Sequence, residues 1–96
     1  MYVHLGQDVV VQSAKIVGIF DLETSTLSSA TRAYLAQSEK AGRVVNVSLE
    51  MPKSFVVAAD RDGERVYITQ ISSATLKKRT GFLAGLRVSN RREGSK

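Results

Sequence analysis

The sequence contains no cysteine and no tryptophan, and it has a single proline and a single histidine. Without cysteine there is neither a disulfide framework nor a thiolate metal site, which suits a reducing compartment. The longest apolar stretches, such as residues 16–20, are far shorter than a bilayer span. Met1 is followed by strand-like sequence rather than by a signal peptide. These features predict a cytoplasmic protein.

Motifs for catalysis are also missing from the sequence. His4 lies in strand-like sequence with no evident nucleophile near it, which favours a structural role. Residues 60–63, Asp-Arg-Asp-Gly, superficially resemble a calcium loop but lack its later ligands and its terminal bidentate glutamate. There is no glycine-rich phosphate loop, nucleophile elbow or paired histidine and carboxylate spacing. We therefore predict no enzyme, no cofactor, no metal site and no small-molecule substrate.

The length and composition fit one small domain. Of the 96 residues, 43% are hydrophobic and 24% are charged, as is typical of a globular chain with one core. A chain this short leaves much of its surface exposed, so burying surface between copies of itself would add stability. We expect a homo-oligomer built from a single domain over residues 1–80, followed by a basic extension over residues 81–96 that is partly disordered.

The hydrophobic pattern predicts an α+β fold: a small antiparallel-rich sheet, one long helix and a short C-terminal helix. Residues 1–12 are typical of two short strands around a turn, and residues 15–22 of a buried strand in which Gly18 marks a bulge or a close approach of the backbone. Residues 27–41 change to helical spacing. Ser25 or Thr26 is the expected cap of this helix, and Gly42 its left-handed end.

The second half of the predicted domain contains strands followed by the short helix. Residues 43–49 form a strand candidate, and residues 54–60 and 65–71 flank a hairpin turn in which Asp-Gly supplies the positive dihedral angle. Ile71, Ser72 and Leu76 then occupy the positions of a hydrophobic staple around a hydroxyl N-cap. The sequence therefore predicts that a helix begins at Ser72.

Positive charge is concentrated at the end of the chain. Residues 77–96 contain seven basic residues and one acidic residue, a net charge of +6, whereas residues 1–76 contain seven basic and eight acidic residues, a net charge of −1. Clustered charge builds a local electrostatic potential. This asymmetry indicates a polyanionic partner.

Three consecutive cations, Lys77, Lys78 and Arg79, end the predicted C-terminal helix. Such charges also stabilise the negative end of their own helix, by about 0.3 to 1 kcal/mol each. Three in a row project around more than half of the helix circumference, so at least one faces away from the terminal carbonyls. We expect these side chains to contact phosphates. Lys53, in the turn before a strand, is a second basic position.

Several segments together resemble the bacterial extracellular matrix regulatory proteins of the RemA and RemB type, most closely the RemB branch. The similarity covers about residues 1–80. The segments that carry it are MYVHLGQDVVV, IVGIFDLE, PKSFVV and VYITQISSATLKKR.

The resemblance implies a small cytoplasmic protein related to DNA-binding regulators of biofilm-matrix genes. It also implies homo-oligomeric rings that carry DNA on a basic outer surface, as in the RemA branch. There the DNA contact includes an arginine pair in the turn before the strand that SFVVAAD matches. In this sequence the corresponding turn, EMPKS, has Lys53 and no arginine, with Glu50 close by.

From the charge pattern and the resemblance we predict a DNA-binding transcriptional regulator that acts as a homo-oligomer with repeated basic patches. The alternatives are an oligomeric protein-interaction module that binds no nucleic acid, and attachment to an anionic membrane surface through GFLAGLR and the arginines after it. In the DNA-binding hypothesis a basic arm that enters a groove supplements the phosphate contacts. The predicted contacts are Lys53, Lys77, Lys78 and Arg79, and the arm residues are Arg87, Arg91 and Arg92.

Overall fold

The structure is a computed structural model that describes residues 1–48 and 50–80. Within these ranges the chain forms six strands and three α-helices, with a short 3-10 turn at Ser13–Lys15. The strands are β1 (Tyr2–Gly6), β2 (Val9–Gln12), β3 (Ile16–Asp21), β4 (Val44–Asn46), β5 (Ser54–Asp60) and β6 (Gly63–Thr69). The helices are α1 (Leu22–Ser25), α2 (Ser29–Lys40) and α3 (Ser73–Arg79).

The strands form a hairpin and a four-stranded sheet. Strands β1 and β2 pair with each other, and the larger sheet has the order β3-β5-β6-β4. Its β3-β5 and β5-β6 pairs are antiparallel, while β4 runs parallel to β6. The predicted α+β fold with an antiparallel-rich sheet is confirmed. The parallel pair was not predicted.

Each face of the larger sheet carries its own apolar cluster. Val56 is buried against the β1-β2 hairpin and α3, in a cluster that includes Val3, Leu5 and Leu76. Phe55, one residue earlier on β5, belongs to a second cluster on which α2 packs through half-buried side chains. Because successive side chains of a strand point to opposite faces, the two clusters lie on opposite sides of the sheet. The hairpin and α3 therefore share one side, and α2 covers part of the other.

Glycine occupies the expected turn positions. Gly63 has a φ of +113° at the β5-β6 turn, and Gly42 has a φ of +74° just beyond the end of α2. These are backbone conformations that a side chain disfavours. Of the two features expected at Gly18, the bulge is present, as a shift of register between Ile16 and Gly18 on β3.

The predicted cap of the long helix is wrong. Its N-cap is Ser28, whose hydroxyl accepts from the Thr31 amide at 3.4 Å. The Asp21 carboxylate accepts from the Glu23 amide at 2.9 Å and starts the separate helix α1, of which Thr26 is the C-cap. Because α1 takes up the chain as far as Thr26, α2 begins only after it.

Helix α2 packs on the sheet through its central residues, while the apolar residue before its start is exposed. Leu27, just before the helix, is 80% exposed, whereas Tyr34 and Leu35 are half-buried. The Tyr34 hydroxyl donates to Glu64 Oε1 at 2.7 Å and links α2 to β6. Burial first, and then this hydrogen bond to Glu64, raise the pKa of Tyr34 above its ordinary value of 10.0.

We expect the stability of the fold to fall at high pH because of Tyr34. The raised pKa means that the folded state holds the phenolic proton more tightly than the unfolded state does. This contribution is complete below the unfolded pKa of 10.0 and is lost as the pH rises through the folded value. Urea unfolding of the wild type and of Tyr34→Phe between pH 8 and about 11 checks this. The difference in free energy of unfolding between the two proteins should shrink above pH 10, and a constant difference would contradict it.

Candidate nucleic-acid interface

The cation cluster is positioned by the start of α3. The Ser72 hydroxyl accepts from the Thr75 amide at 3.2 Å, which confirms the predicted N-cap. Leu76 is completely buried, and the half-buried Ile71 packs in the same cluster. A helix anchored at this point presents its next residues in a defined direction.

Lys77 and Lys78 extend away from the core. Each residue of an α-helix is rotated by about 100° from the one before it, so these lysines lie about 100° and 200° around the helix from the buried Leu76. Both side chains are exposed. Within residues 1–48 and 50–80 neither has an ion-pair partner. The two ammonium groups are therefore available to an external anion.

Arg79 has a structural contact as well. Three residues beyond Leu76, it returns toward the packed side of α3, and its Nη1 donates to the His4 carbonyl at 2.9 Å. The His4 Nε2 lies 2.6 Å from the Gln7 carbonyl oxygen across the β1-β2 turn. Arg79 thus fastens the end of α3 to the hairpin. A guanidinium has five donor hydrogens, so others remain for the predicted phosphate contact.

Lys53 lies near the opposite end of α3. Its amide donates to the Thr69 carbonyl at 2.9 Å, and its own carbonyl accepts from the Leu22 amide at 3.0 Å. The next residue, Ser54, donates its hydroxyl to the Ile71 carbonyl at 2.6 Å, just before α3 begins. The helix is about 10 Å long for its seven residues. Lys53 and the cation cluster are therefore two separate exposed basic positions, one near each end of α3.

The predicted arm residues lie outside the part of the chain that the structure describes. They are Arg87, Arg91 and Arg92. The segment GFLAGLR, on which the membrane alternative depends, lies outside it as well. Both remain predictions.

Sequence reasoning missed a second polar site, a cleft of about 240 Å³ between the hairpin and the β5-β6 turn. Arg65 and Tyr67 line it from β6, together with Lys15, whose Nζ lies 3.7 Å from Asp60 Oδ2. Pairing of β3 with β5 and of β5 with β6 brings these distant residues together, so no local signal reveals them. Because Asp60 offsets Lys15, the cleft is less positive than the end of α3.

Two other kinds of site are not found in the described ranges. Residues 1–48 and 50–80 contain no cluster of histidine, aspartate and glutamate that could hold a metal ion. None of the helices described in them has the length and apolar character needed to cross a membrane.

The arrangement of the hairpin, the sheet and the cationic helix α3 spans the region that matches a known family. The family described as RemA-like, Extracellular matrix regulatory protein A-like, matches residues 2–80. The chain belongs to this family. It is also 39% identical over 83 residues to Extracellular matrix regulatory protein B of Bacillus subtilis (strain 168), which covers 86% of this chain and 94% of that protein.

Family membership supports a regulatory role connected with the extracellular matrix of biofilms. The relative is named as a regulatory protein and not as an enzyme. The resemblance to the RemB branch found in the sequence is confirmed. Within this RemA-like chain, α3 and the Lys53 turn both fall in the region shared with the family.

Proposed function

We propose that this RemA-like protein is a DNA-binding transcriptional regulator of the biofilm-matrix type that acts as a homo-oligomer. The observation that carries the proposal is the end of α3, where Lys77 and Lys78 are exposed and have no ion-pair partner in the described ranges. Lysine and arginine side chains that are free of internal partners are the groups that neutralise DNA phosphates.

One subunit alone would bind DNA weakly. If Lys53, Lys77, Lys78 and Arg79 neutralise about four phosphates, log K falls with log salt at a slope of about −3.6, and binding is weak at cellular ionic strength. Linking several such sites in one assembly raises the overall affinity by about 10² to 10⁴. Repetition of the basic patch therefore explains how so small a patch can serve a regulator.

The double substitution Lys77→Gln and Lys78→Gln should lower DNA affinity and flatten its salt dependence. Removing two phosphate contacts from each bound subunit reduces the slope of log K against log salt by about 1.8 per subunit. Fluorescence anisotropy with a labelled duplex at about 50 to 200 mM salt measures both quantities.

The matched control is Lys15→Gln with Lys40→Gln, which removes the same charge from two other exposed lysines. This control should retain the wild-type slope. An equal loss in both double variants would mean that net charge alone acts, which contradicts a site at α3. Absence of wild-type binding at low salt would favour the protein-interaction module.

That second candidate has one specific observation in its favour. The turn before β5 presents Lys53 where the resemblance implies an arginine pair, and the exposed Glu50 lies three residues before it. A single lysine lacks the bidentate geometry with which arginine holds a phosphate. Binding to DNA that is unchanged by Lys53→Gln would show that this turn is not part of the interface.

A further inference from the structure

The polar cleft between the hairpin and the β5-β6 turn has the size of a site for a small molecule. Its volume is about 240 Å³. A protein cavity of about 150 Å³ is enough to hold benzene. The cleft therefore has room for one six-membered ring together with a small head group.

Strand register places two walls of the cleft on the hairpin side of the sheet. Ala58 pairs with Arg65, and Val56 pairs with Tyr67, so these side chains share the face on which Val56 is buried. The hairpin packs in the same cluster as Val56. Two residues farther along β5, the methyl group of Ala58 fills little of the space opposite Arg65, and there the cleft lies.

Arg65 brings to the cleft a guanidinium that has no internal acceptor. Its side chain is exposed, and within residues 1–48 and 50–80 it makes neither an ion pair nor a hydrogen bond. A guanidinium is a planar fork of donors, which matches a carboxylate or a phosphate through two parallel hydrogen bonds. Arg65 is therefore free to hold an oxoanion.

The other polar groups of the cleft leave mainly donors for a ligand. Gln12 Nε2 donates to the Tyr2 hydroxyl oxygen at 3.1 Å, so the Tyr2 O–H remains available as a donor. The carboxylate of Asp60 is already engaged, because its Oδ1 accepts from the Asp62 amide at 2.9 Å and its Oδ2 lies 3.7 Å from Lys15 Nζ. Donors that lack acceptors favour a ligand with acceptor oxygens.

The remaining walls of the cleft are aromatic and apolar. Tyr2 and Tyr67 line it, together with Val10 and the nearly buried Ala58. Flat rings pack on tyrosine in offset-stacked or edge-to-face arrangements. Such walls favour a flat ring beside the anionic head group.

We propose that this cleft binds a small organic anion made of one flat ring and one carboxylate or phosphate head group. The head group bonds to the Arg65 guanidinium, and the ring lies against Tyr2 and Tyr67. This site is separate from the DNA contacts proposed above. In the described part of the chain, the basic residues proposed for DNA do not line the cleft; they are Lys53, Lys77, Lys78 and Arg79.

Titration of the full chain with two probe anions and one neutral molecule tests the site. Benzoate presents the ring with a carboxylate, phenyl phosphate presents it with a phosphate, and benzamide has the shape of benzoate without its charge. In ¹H–¹⁵N NMR spectra, at least one anion should shift the backbone amides of Arg65, Tyr67 and residues 10–12. Benzamide should bind about tenfold more weakly or worse, because it forms no charge-assisted hydrogen bond with Arg65. The anion that binds more tightly identifies the head group.

Arg65→Gln should weaken binding of that anion by about 10- to 100-fold, because it removes the charged donor fork. The matched control is Arg61→Gln, which removes the same charge from an exposed arginine between β5 and β6 that does not line the cleft. This control should keep the wild-type affinity. Arg65→Lys retains the charge but loses the fork, so its affinity should lie between those of the wild type and Arg65→Gln.

Three results would each overturn the ligand site. They are the absence of shifts with both anions at millimolar concentration, equal binding of benzamide and benzoate, and an equal loss in Arg61→Gln and Arg65→Gln. If neither anion binds and Arg65→Gln instead lowers the affinity for a labelled duplex, Arg65 is a nucleic-acid contact and the ligand site is wrong. If an anion binds as expected while no duplex binds at low salt, the ligand site stands and the proposed function fails.

Discussion

Replacing Leu76 with alanine should lower the free energy of unfolding by about 3 to 5 kcal/mol, because it leaves a cavity at a buried leucine. This side chain of α3 is completely buried in the apolar cluster that the helix shares with the β1-β2 hairpin. It is also the residue that holds the cationic end of α3 on the domain. Urea unfolding followed by circular dichroism measures the loss.

Leu27→Ala is the matched control, since it removes the same atoms from a side chain that is 80% exposed. We expect a change within about 0.5 kcal/mol, as for most surface substitutions. A loss at Leu76 no larger than that at Leu27 would contradict the role of Leu76 in the core.

The second large effect is expected at Thr69, whose hydroxyl joins three parts of the fold. It donates to the Leu5 carbonyl at 2.6 Å and accepts from the Ile71 amide at 3.2 Å, and the residue is 1% exposed. Thr69→Val keeps the shape but leaves both backbone groups without this partner. Each unsatisfied buried polar group costs about 1 to 3 kcal/mol, so we expect a total loss of about 2 to 4 kcal/mol.

Thr24→Val makes the same change at an exposed position in α1 and should alter the free energy of unfolding by less than about 0.5 kcal/mol. Hydrogen exchange adds a local measurement, because the Ile71 amide should lose protection in Thr69→Val. Equal stability of Thr69→Val and the wild type would show that the hydroxyl does not join β1 to the start of α3.

Elements with strong local signals were predicted from the sequence. The staple of Ile71 and Leu76 around Ser72 defines the start of α3 through contacts within a few residues. The Asp-Gly turn before β6 depends on the backbone freedom of Gly63 alone. Where capping residues compete, the prediction fails. The N-cap of α2 was predicted at Ser25 or Thr26 because the separate helix α1 was not recognised in the sequence. The hydrogen bond from the Glu23 amide to the Asp21 carboxylate, which starts α1, has a weaker signature in the sequence.

The candidate site was predicted in part. The cations at the end of α3 are visible in the sequence as a run of charge. The sequence does not show that Lys77 and Lys78 are exposed without ion-pair partners in the described ranges while Arg79 binds the hairpin. Arg79 reaches the His4 carbonyl across 75 residues of sequence, and only the packing of α3 on the hairpin brings these groups together. The cleft with Lys15 and Arg65 depends likewise on strand register.

By itself the sequence determined the mixed α+β class, the N-cap of α3, the glycine turns, the concentration of positive charge toward the chain end and the resemblance to the family. The tertiary structure decided the parallel pairing of β4 with β6, the attachment of Arg79 to the hairpin and the division of the core into one apolar cluster on each face of the sheet. The physical reason is the distance along the sequence over which each kind of interaction acts. Backbone dihedral preferences, capping bonds and charge runs involve residues a few positions apart, whereas pairing, burial and exposure depend on which distant surfaces exclude water from each other.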